Sequence, residues 1–331
     1  MIIRENIPLS TLTTMRLGGP ARYVIEIEDE SEIPTAYAFA KEHSLPTFIL
    51  GGGANTIVRD EGFPGVILKY IKTGIAKQSN NITTEAGEPW DNVVAYACEQ
   101  GFTGIEALSK IPGLSGSAPV QNIGAYGQDI SQTLANARAY DTKTHQFITL
   151  TKEDLNFSYR KSILNTTDKG RFFITSITMA LHLGQMPRPF YNSIETYIES
   201  HHITDFAPQS IRQIVSEIRA SKLPDPATTP SAGSFFKNIY LTEKQAEKAE
   251  ENQIPVHHGH DGLKINSGWL IDKAGLKGKL LYGIRISDQA PLVLINESAT
   301  SYHDLAKARA EIIDTVKAKF GYQLEQEPNE L

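Results

Sequence analysis

The sequence is poor in cysteine and has no long apolar segment. Its 331 residues include one cysteine, Cys98, so no disulfide can form within the chain. It contains no run of about 18 apolar residues, and a transmembrane helix is therefore not expected. The first residues, MIIRENIPLS, lack the apolar core of a signal peptide. These absences predict a reduced, cytoplasmic compartment and no association with a membrane.

The sequence also has no excess of positive charge. The formal net charge is -6, and no basic stripe with interleaved aromatic residues occurs, so nucleic acid is not an expected partner. The hydrophobic and charged fractions, 40% and 21%, are ordinary for a globular protein, and the length predicts two or three domains. A mildly acidic protein that binds an anionic substrate must concentrate cations locally.

The order of secondary-structure signals predicts an α+β fold. Residues 21–27 and 46–50 have the pattern of strands, and Ser31 is predicted to cap a helix between them. Amphipathic helices are predicted over 88–100 and 208–222. A further helix is predicted over 301–320, and a capping box formed by Thr242 and Gln245 predicts another.

Two glycine-rich loops interrupt this pattern. The first, LGGGANTIV (50–58), follows a strand, and its backbone N–H groups suit a phosphate. It lacks both the dinucleotide and the Walker spacing, and a plain tight turn is the alternative. The second, IPGLSGSAPVQNIGAYGQDI (111–130), combines small residues, amides and hydroxyls with one aromatic residue. Such a surface suits a flat heteroaromatic ligand, and a purely structural loop is the alternative.

The segment GFTGIEALSKIPGLSGSAPVQNIGAYG (101–127) resembles the FAD-binding segment of UDP-N-acetylenolpyruvoylglucosamine reductases. TMRLGGPA (14–21) and the first glycine loop match the two earlier FAD loops of that family, in the same order and spacing. The resemblance covers nearly the whole chain. It implies a three-domain α+β flavoprotein with FAD and NADPH as cofactors, acting as a monomer.

The resemblance also implies where the domains lie. Two FAD-binding domains of the vanillyl-alcohol-oxidase (PCMH) type are expected at 1–70 and 71–222. A substrate-binding domain is expected at 223–331, with a C-terminal tail that returns to the active site. The residues expected to bind FAD are Gly51, Gly52, Gly53, Ala54, Asn55, Thr56, Pro112, Gly113, Ser115, Gly116, Ser117, Gln121, Asn122, Gly124, Ala125 and Tyr126.

Three further motifs match the catalytic segments of the family. YRKS supplies Arg160, AGSFFKN supplies Ser234 and LEQE supplies Glu327. The implied reaction reduces UDP-N-acetylglucosamine enolpyruvate to UDP-N-acetylmuramate. Arg160 would stabilise the negative charge that develops on the enolate, and Ser234 would deliver a proton to the carbanionic carbon. Glu327 would hold the enolate form through a hydrogen bond.

The tail departs from the family pattern after Glu327. Pro328 follows where an apolar strand residue is usual, and the sequence ends at Leu331. Because proline cannot donate a ladder hydrogen bond, the C-terminal strand is expected to be short. Glu325 would share a face with Glu327 in an extended chain, and it is the alternative catalytic acid if the register is shifted.

The resemblance assigns other residues to the substrate. Lys222, Asn238 and Lys277 are expected to bind the nucleotide, although ordinary solvated lysines are the alternative. Tyr191 is interpreted as part of a lid, with a core tyrosine as the alternative. Gln289 is a further substrate-site candidate.

The sequence also offers a candidate metal site and two alternative functions. HHGHDG (257–262) holds three histidines in a glycine-interrupted loop, and no metal site is expected there. One rival function is a flavin oxidase of the same superfamily that uses oxygen. Another is a nucleotide-sugar sensor that lost catalysis through its altered tail. Arg160 and Ser234 argue against both rivals.

Overall fold

The computed structural model describes residues 1–259 and 262–331. The helices are α1 (Ile33–Glu42), α2 (Trp90–Glu99), α3 (Asn192–Ser200), α4 (Pro208–Lys222), α5 (Glu243–Glu251), α6 (Ser267–Lys273) and α7 (Tyr302–Phe320). The strands are β1 (Ile2–Pro8), β2 (Pro20–Ile27), β3 (Thr47–Ile49), β4 (Thr56–Ile57), β5 (Phe63–Tyr70), β6 (Ile75–Gln78), β7 (Asn81–Glu85), β8 (Phe102–Thr103), β9 (Gly124–Ala125), β10 (Gln128–Asp129), β11 (Leu134–Asp141), β12 (Gln146–Thr151), β13 (Phe172–Ala180), β14 (His182–Leu183), β15 (Ser231–Ser234), β16 (Ile239–Leu241), β17 (Val256–Gly259), β18 (Gly262–Ile265), β19 (Leu280–Leu281), β20 (Ile284–Ile286), β21 (Val293–Asn296) and β22 (Asn329–Glu330).

The chain divides into two compact units. The first unit comprises Met1–Asn6, Arg22–Gly52 and Pro64–Ser221, and the second comprises Ile7–Ala21, Gly53–Phe63 and Lys222–Leu331. The division passes through the first glycine loop, between Gly52 and Gly53. The predicted boundary at residue 70 within the first unit stays a prediction.

The first unit is built on two sheets. Strands run in the order β1-β2-β5-β3 in one sheet and β12-β11-β13-β7-β6 in the other, and the second sheet is antiparallel throughout. Helices α1 and α2 turn their apolar faces to a core that includes Val66, Trp90 and Phe173, each at most 1% exposed. Burial of such a face stabilises these short helices more than their intrinsic propensity does.

A smaller core in the first unit lies under α3 and α4. Helix α4 spans the predicted residues, and its stripe of Ile211, Ile214, Val215 and Ile218 is buried. Arg212 of α4 also forms an ion pair with Asp91 of α2. Its Nη1 and Nη2 donate to the Asp91 carboxylate at 2.6 and 3.0 Å. The helix is therefore held by apolar burial and by a two-point ion pair.

The second unit has a separate core. Its sheets have the orders β15-β21-β20-β19 and β16-β18-β17, and β22 pairs with β4 in parallel. Phe235, Leu270 and Ile312 are fully buried among them. Helix α7 contributes its predicted stripe of Leu305, Ala308, Ile312 and Val316 to this core.

Most helix boundaries agree with the sequence-based predictions. The capping box of Thr242 and Gln245 is present at the start of α5, and Gly321 follows α7 as its C-terminal cap. The prediction that Ser31 caps the first helix is wrong. Asp29 accepts the Ser31 N–H at 3.0 Å and opens a 3-10 turn, and α1 begins only at Ile33. A carboxylate two residues earlier thus displaced the serine from the cap position.

Among the described residues, no helix combines the length and the apolar character needed to cross a membrane. The histidine tract is described only in part, because residues 260 and 261 lie outside the described residues. His257 and His258 lie in β17 and are exposed.

Candidate active site

In the first unit, the two glycine loops lie against each other. A Cβ atom on Gly52 would stand 3.0 Å from the Cα of Gly113, and one on Gly51 would overlap the Ser117 hydroxyl. Because no side chain fits at Gly51 or Gly52, only glycine allows the two loops to approach this closely. The structure therefore brings together candidates from both predicted FAD loops.

The second loop is anchored by its own backbone. The N–H groups of Ser115 and Gly116 donate to the carbonyls of Glu88 and Ala86, at 2.8 and 2.9 Å. Trp90 N–H donates to the Gly113 carbonyl at 3.0 Å. These bonds fix the loop across the start of α2, so that it is a rigid surface rather than a flexible connection.

The second half of the first loop belongs to the second unit. Gly53 has a φ of 66°, and a Cβ there would overlap the Leu12 carbonyl oxygen. Thr14 N–H donates to the Gly53 carbonyl at 3.2 Å, and Asn55 accepts from Asn329 N–H at 2.9 Å. Gly53, Ala54, Asn55 and Thr56 are thus held by the TMRLGGPA segment on one side and by the C-terminal tail on the other.

We predict that Gly53→Ala destabilises the protein and lowers its flavin content. The left-handed φ costs an alanine roughly 1–2 kcal/mol, and displacing the Leu12 carbonyl adds a cost of similar size. Gly170 is the matched control, because it has a φ of 78° and open space at its Cβ position. Thermal unfolding and the ratio of flavin to protein absorbance measure both effects. Equal behaviour of the two variants would contradict this account of the loop.

Arg160 lies on a two-residue turn in the first unit. Ser158 and Lys161 exchange two backbone hydrogen bonds of 3.0 Å, and Arg160 takes the positive φ of 55° that closes the turn. Asn165 Nδ2 donates to the Arg160 carbonyl at 3.0 Å. The backbone of Arg160 is therefore held in place independently of its side-chain contacts.

The second glycine loop fixes the turn that carries Arg160. Ser162 Oγ donates to the Val120 carbonyl at 2.7 Å, and Asn122 Nδ2 donates to the Ser158 carbonyl at 3.3 Å. The Arg160 guanidinium donates from Nη1 to the Gly124 carbonyl at 3.2 Å. A predicted catalytic cation and predicted FAD-binding residues thus form one connected set.

A second arginine lies in this set, and the sequence analysis missed it. Arg219 of α4 is hydrogen-bonded to the Tyr126 hydroxyl and is close enough to Arg160 for the two charges to interact. Burial lowers the pKa of Arg219; Tyr126 opposes this effect, and the charge of Arg160 adds to it. Its position four residues after the buried Val215 could have indicated that it faces inward.

Tyr191 lies beside the same cluster. Its ring packs edge-on against Tyr126 with 5.8 Å between centroids, and 51% of its surface is exposed. It immediately precedes α3, in which Ile194 and Ile198 are buried. The core-tyrosine alternative is therefore wrong, and the lid role of Tyr191 stays a prediction.

The two arginines of α4 provide a matched pair for a prediction. Arg219→Met removes a cation that is costly in the free protein, so the melting temperature should not fall, while binding of the anionic substrate weakens about tenfold. Arg212→Met leaves Asp91 with one ion-pair partner fewer and should cost about 2 kcal/mol of stability without changing binding. Calorimetric titration and thermal unfolding separate the two. Unchanged substrate affinity in Arg219→Met would refute this role.

Ser234 and Glu327 are neighbours in the second unit. Ser234 ends β15, and Phe236 forms an antiparallel bridge with Gln326. The Glu327 N–H donates to the Phe235 carbonyl at 2.9 Å, which places the backbone of Glu327 next to the residue after Ser234. Glu327 is partly buried.

The register of the tail separates the two candidate glutamates. Lys237 N–H donates to the Glu325 carbonyl at 2.9 Å, and the Lys237 ammonium forms an ion pair with the Glu325 carboxylate. The Glu325 side chain is 73% exposed. The alternative in which Glu325 replaces Glu327 finds no support in this register.

One of the predicted nucleotide-binding residues, Lys277, borders a cavity of about 260 Å³ in the second unit. Its lining includes Lys277, Trp269 and Asp272 together with Ala290, the residue after Gln289. Asn238 lies close to this region, because its Oδ1 accepts the N–H of Ser267, the first residue of α6, at 3.2 Å. Lys222 is the last residue of α4 and is exposed.

A family model for FAD-binding domains matches residues 21–145. This region includes both glycine loops, and the mixed architecture with two sheets in the first unit agrees with the predicted α+β flavoprotein fold. The fold and the loops together define a flavin-dependent oxidoreductase.

The family model for the C-terminal domain of UDP-N-acetylenolpyruvoylglucosamine reductase matches residues 225–331. The reductase of that name from Ralstonia nicotianae is 34% identical over 338 residues, with 99% of this chain and 98% of the relative covered. The reductase from Alcanivorax borkumensis is 37% identical over 291 residues, covering 86% and 83%. The crystal structure of the Thermus caldophilus reductase superposes with a TM-score of 0.69 at 23% identity, covering 99% of each chain, which supports the fold. The chain belongs to the UDP-N-acetylenolpyruvoylglucosamine reductase family.

Proposed function

We propose that this chain reduces UDP-N-acetylglucosamine enolpyruvate to UDP-N-acetylmuramate with FAD and NADPH, in the synthesis of peptidoglycan precursors. It would act as a cytoplasmic monomer whose partners are small molecules rather than nucleic acid or membrane. The observation that carries the proposal is the tail register, because the 2.9 Å bond from Glu327 N–H to the Phe235 carbonyl joins two catalytic motifs of the family.

The two glycine loops fit the flavin cofactor. Close approach of Gly51 and Gly52 to the second loop leaves backbone groups, rather than side chains, at the surface. The second loop would complete the FAD site with Pro112, Gly113, Ser115, Gly116, Ser117, Gln121, Asn122, Gly124, Ala125 and Tyr126. The chemistry that bound FAD supplies is transfer of a hydride from NADPH to the terminal vinyl carbon of the substrate.

The protein supplies charge stabilisation and a proton. Hydride addition leaves negative charge on the adjacent carbon and on the carboxylate, and Arg160 would stabilise it as a fixed cation that needs no reorganisation. Ser234 Oγ would donate the proton that completes the addition. Glu327 would hold the enolate form through a hydrogen bond. One hydride and one proton thus add across the double bond.

The remaining candidates would bind the nucleotide part of the substrate. Lys277 would bind a phosphate in the cavity that it lines with Trp269 and Asp272. Asn238, Gln289 and Lys222 would contribute from the same unit, and Tyr191 would act as a lid. The Arg160 and Arg219 pair gives a net acidic protein the local positive charge that an anionic substrate requires.

The test is direct identification of the product. The purified, flavin-loaded protein is incubated with NADPH and UDP-N-acetylglucosamine enolpyruvate, and the nucleotide sugar is analysed by mass spectrometry. We expect a product heavier than the substrate by two hydrogen atoms, with one NADPH consumed for each product. Consumption of oxygen with no change in the nucleotide sugar would instead indicate a flavin oxidase.

A further inference from the structure

The C-terminal tail is attached to two different partners on either side of Pro328. Residues 325–327 bond to the backbone of 235–237, and β22 then pairs in parallel with β4. Leu331 completes the second attachment, because its N–H donates to the Ile57 carbonyl and its carbonyl accepts from Arg59 N–H. Pro328 is buried between the two attachments, whose nearest backbone donors are the N–H groups of Glu327 and Asn329 on either side of it.

Glu330 fixes the outer end of this tail. Its Oε1 accepts from Arg59 Nε and Nη2, at 2.8 and 2.6 Å, and its Oε2 accepts from Arg309 Nη1 at 2.7 Å. The Glu330 side chain is 21% exposed. Partial burial raises the pKa of Glu330, but hydrogen bonds from Arg309, Arg59 and Tyr302 outweigh it and bring the pKa to about 2. The carboxylate is therefore ionised at neutral pH.

Arg309 reaches both sides of Glu327. Besides Glu330, its Nη1 donates to Gln326 Oε1 at 2.6 Å, and its Nη2 donates to the Tyr302 hydroxyl at 3.1 Å. Gln326 Nε2 in turn donates to the Pro328 carbonyl at 2.8 Å. The residues immediately before and after Glu327 are thus tied, through one guanidinium on α7, to the end of the chain.

We propose that Glu330 and Arg309 form a clasp that positions Glu327 next to β15, the strand that ends in Ser234. This inference rests on the proposed function, in which Glu327 acts on the substrate. Glu330 and Arg309 are positioning residues, since they act through Glu327.

A double-mutant cycle distinguishes positioning from simple stabilisation. Flavin is reduced anaerobically with NADPH, and its reoxidation by UDP-N-acetylglucosamine enolpyruvate is followed in wild type, Glu330→Gln, Glu327→Gln and the double variant. We expect Glu330→Gln to slow reoxidation about tenfold with reduction by NADPH unchanged. If Glu330 acts through Glu327, the double variant is no slower than Glu327→Gln alone.

Glu297→Gln is the matched control. Glu297 pairs with Arg285 through Nε and Nη2 in the same unit, and its side chain is 45% exposed. We expect wild-type reoxidation in this variant. Arg309→Met, which removes the bonds from α7 to both Gln326 and Glu330, should reproduce the defect of Glu330→Gln.

The outcomes separate the two claims. If wild-type reduced flavin does not react with the enolpyruvate, the proposed function fails and the clasp role fails with it. If Glu327→Gln is slow while Glu330→Gln and Arg309→Met match wild type, the function stands and the clasp is refuted. Losses that multiply in the double variant would likewise refute it, because they would mean that Glu330 acts independently of Glu327.

Discussion

Replacing Ser234 with alanine is expected to slow reoxidation of the reduced flavin by UDP-N-acetylglucosamine enolpyruvate by about 10²–10⁴-fold, the usual contribution of a general acid. Reduction by NADPH should proceed at the wild-type rate, because that step needs no proton from Ser234. Ser234 lies at the end of β15, which is paired with β21 through Val293. The strand stays in place without the hydroxyl, and the loss should therefore be chemical rather than structural.

The serine control comes from the same unit. Ser298 is exposed in the loop after β21, and Ser298→Ala should behave as wild type in both half-reactions. Stopped-flow absorbance of the flavin measures each step separately. A Ser234→Ala variant that is reoxidised at the wild-type rate would exclude Ser234 as the proton donor.

The second large effect is expected for Arg160→Gln. Removing a preorganised cation from a developing oxyanion costs about 3–4 kcal/mol, so that reoxidation should slow by roughly 10²–10³-fold. Glutamine can still donate to the Gly124 carbonyl but carries no charge. Arg160→Lys should also be impaired, because a lysine cannot bond to this carbonyl and present a planar second donor at the same time.

A paired arginine in the same unit serves as the control. Arg138 donates from Nε and Nη2 to the two oxygens of Glu30, both at 2.8 Å, and its side chain is 44% exposed. Arg138→Gln should leave both half-reactions unchanged. The assignment of Arg160 would be wrong if Arg160→Gln and Arg138→Gln behaved alike.

The local features of the fold could be predicted from the sequence. Helix α4 has the predicted bounds because its apolar stripe is regular and the proline-rich stretch from Leu223 ends it. The capping box of Thr242 is equally local. Ser31 shows the limit of such rules, because Asp29 accepts both the N–H and the hydroxyl of Ser31 and holds it inside a 3-10 turn instead of at the cap position.

Non-local contacts were beyond the reach of the sequence. The tail was predicted to be short, which is correct for β22, but its parallel pairing with β4 joins residues more than 270 positions apart. No local pattern identifies such a partner. The contacts of Glu330 are also non-local, because its partners Arg59 and Arg309 lie 271 and 21 positions away in the sequence.

The sequence supplied candidate residues for the site but not the contacts that hold them. Arg160 was proposed from its motif, whereas the bonds that fix its turn come from Ser162, Asn165 and Asn122. Arg219 escaped notice because one arginine on an amphipathic helix is usually solvated. Only the structure places it at the Tyr126 hydroxyl.

The most direct test of the account is one anaerobic experiment on the wild-type protein. The flavin is reduced with a single equivalent of NADPH, and UDP-N-acetylglucosamine enolpyruvate is then added in the absence of oxygen. We predict rapid return of the oxidised flavin spectrum with formation of UDP-N-acetylmuramate. A flavin that stays reduced with this substrate but is reoxidised at once by oxygen would contradict the account and identify an oxidase.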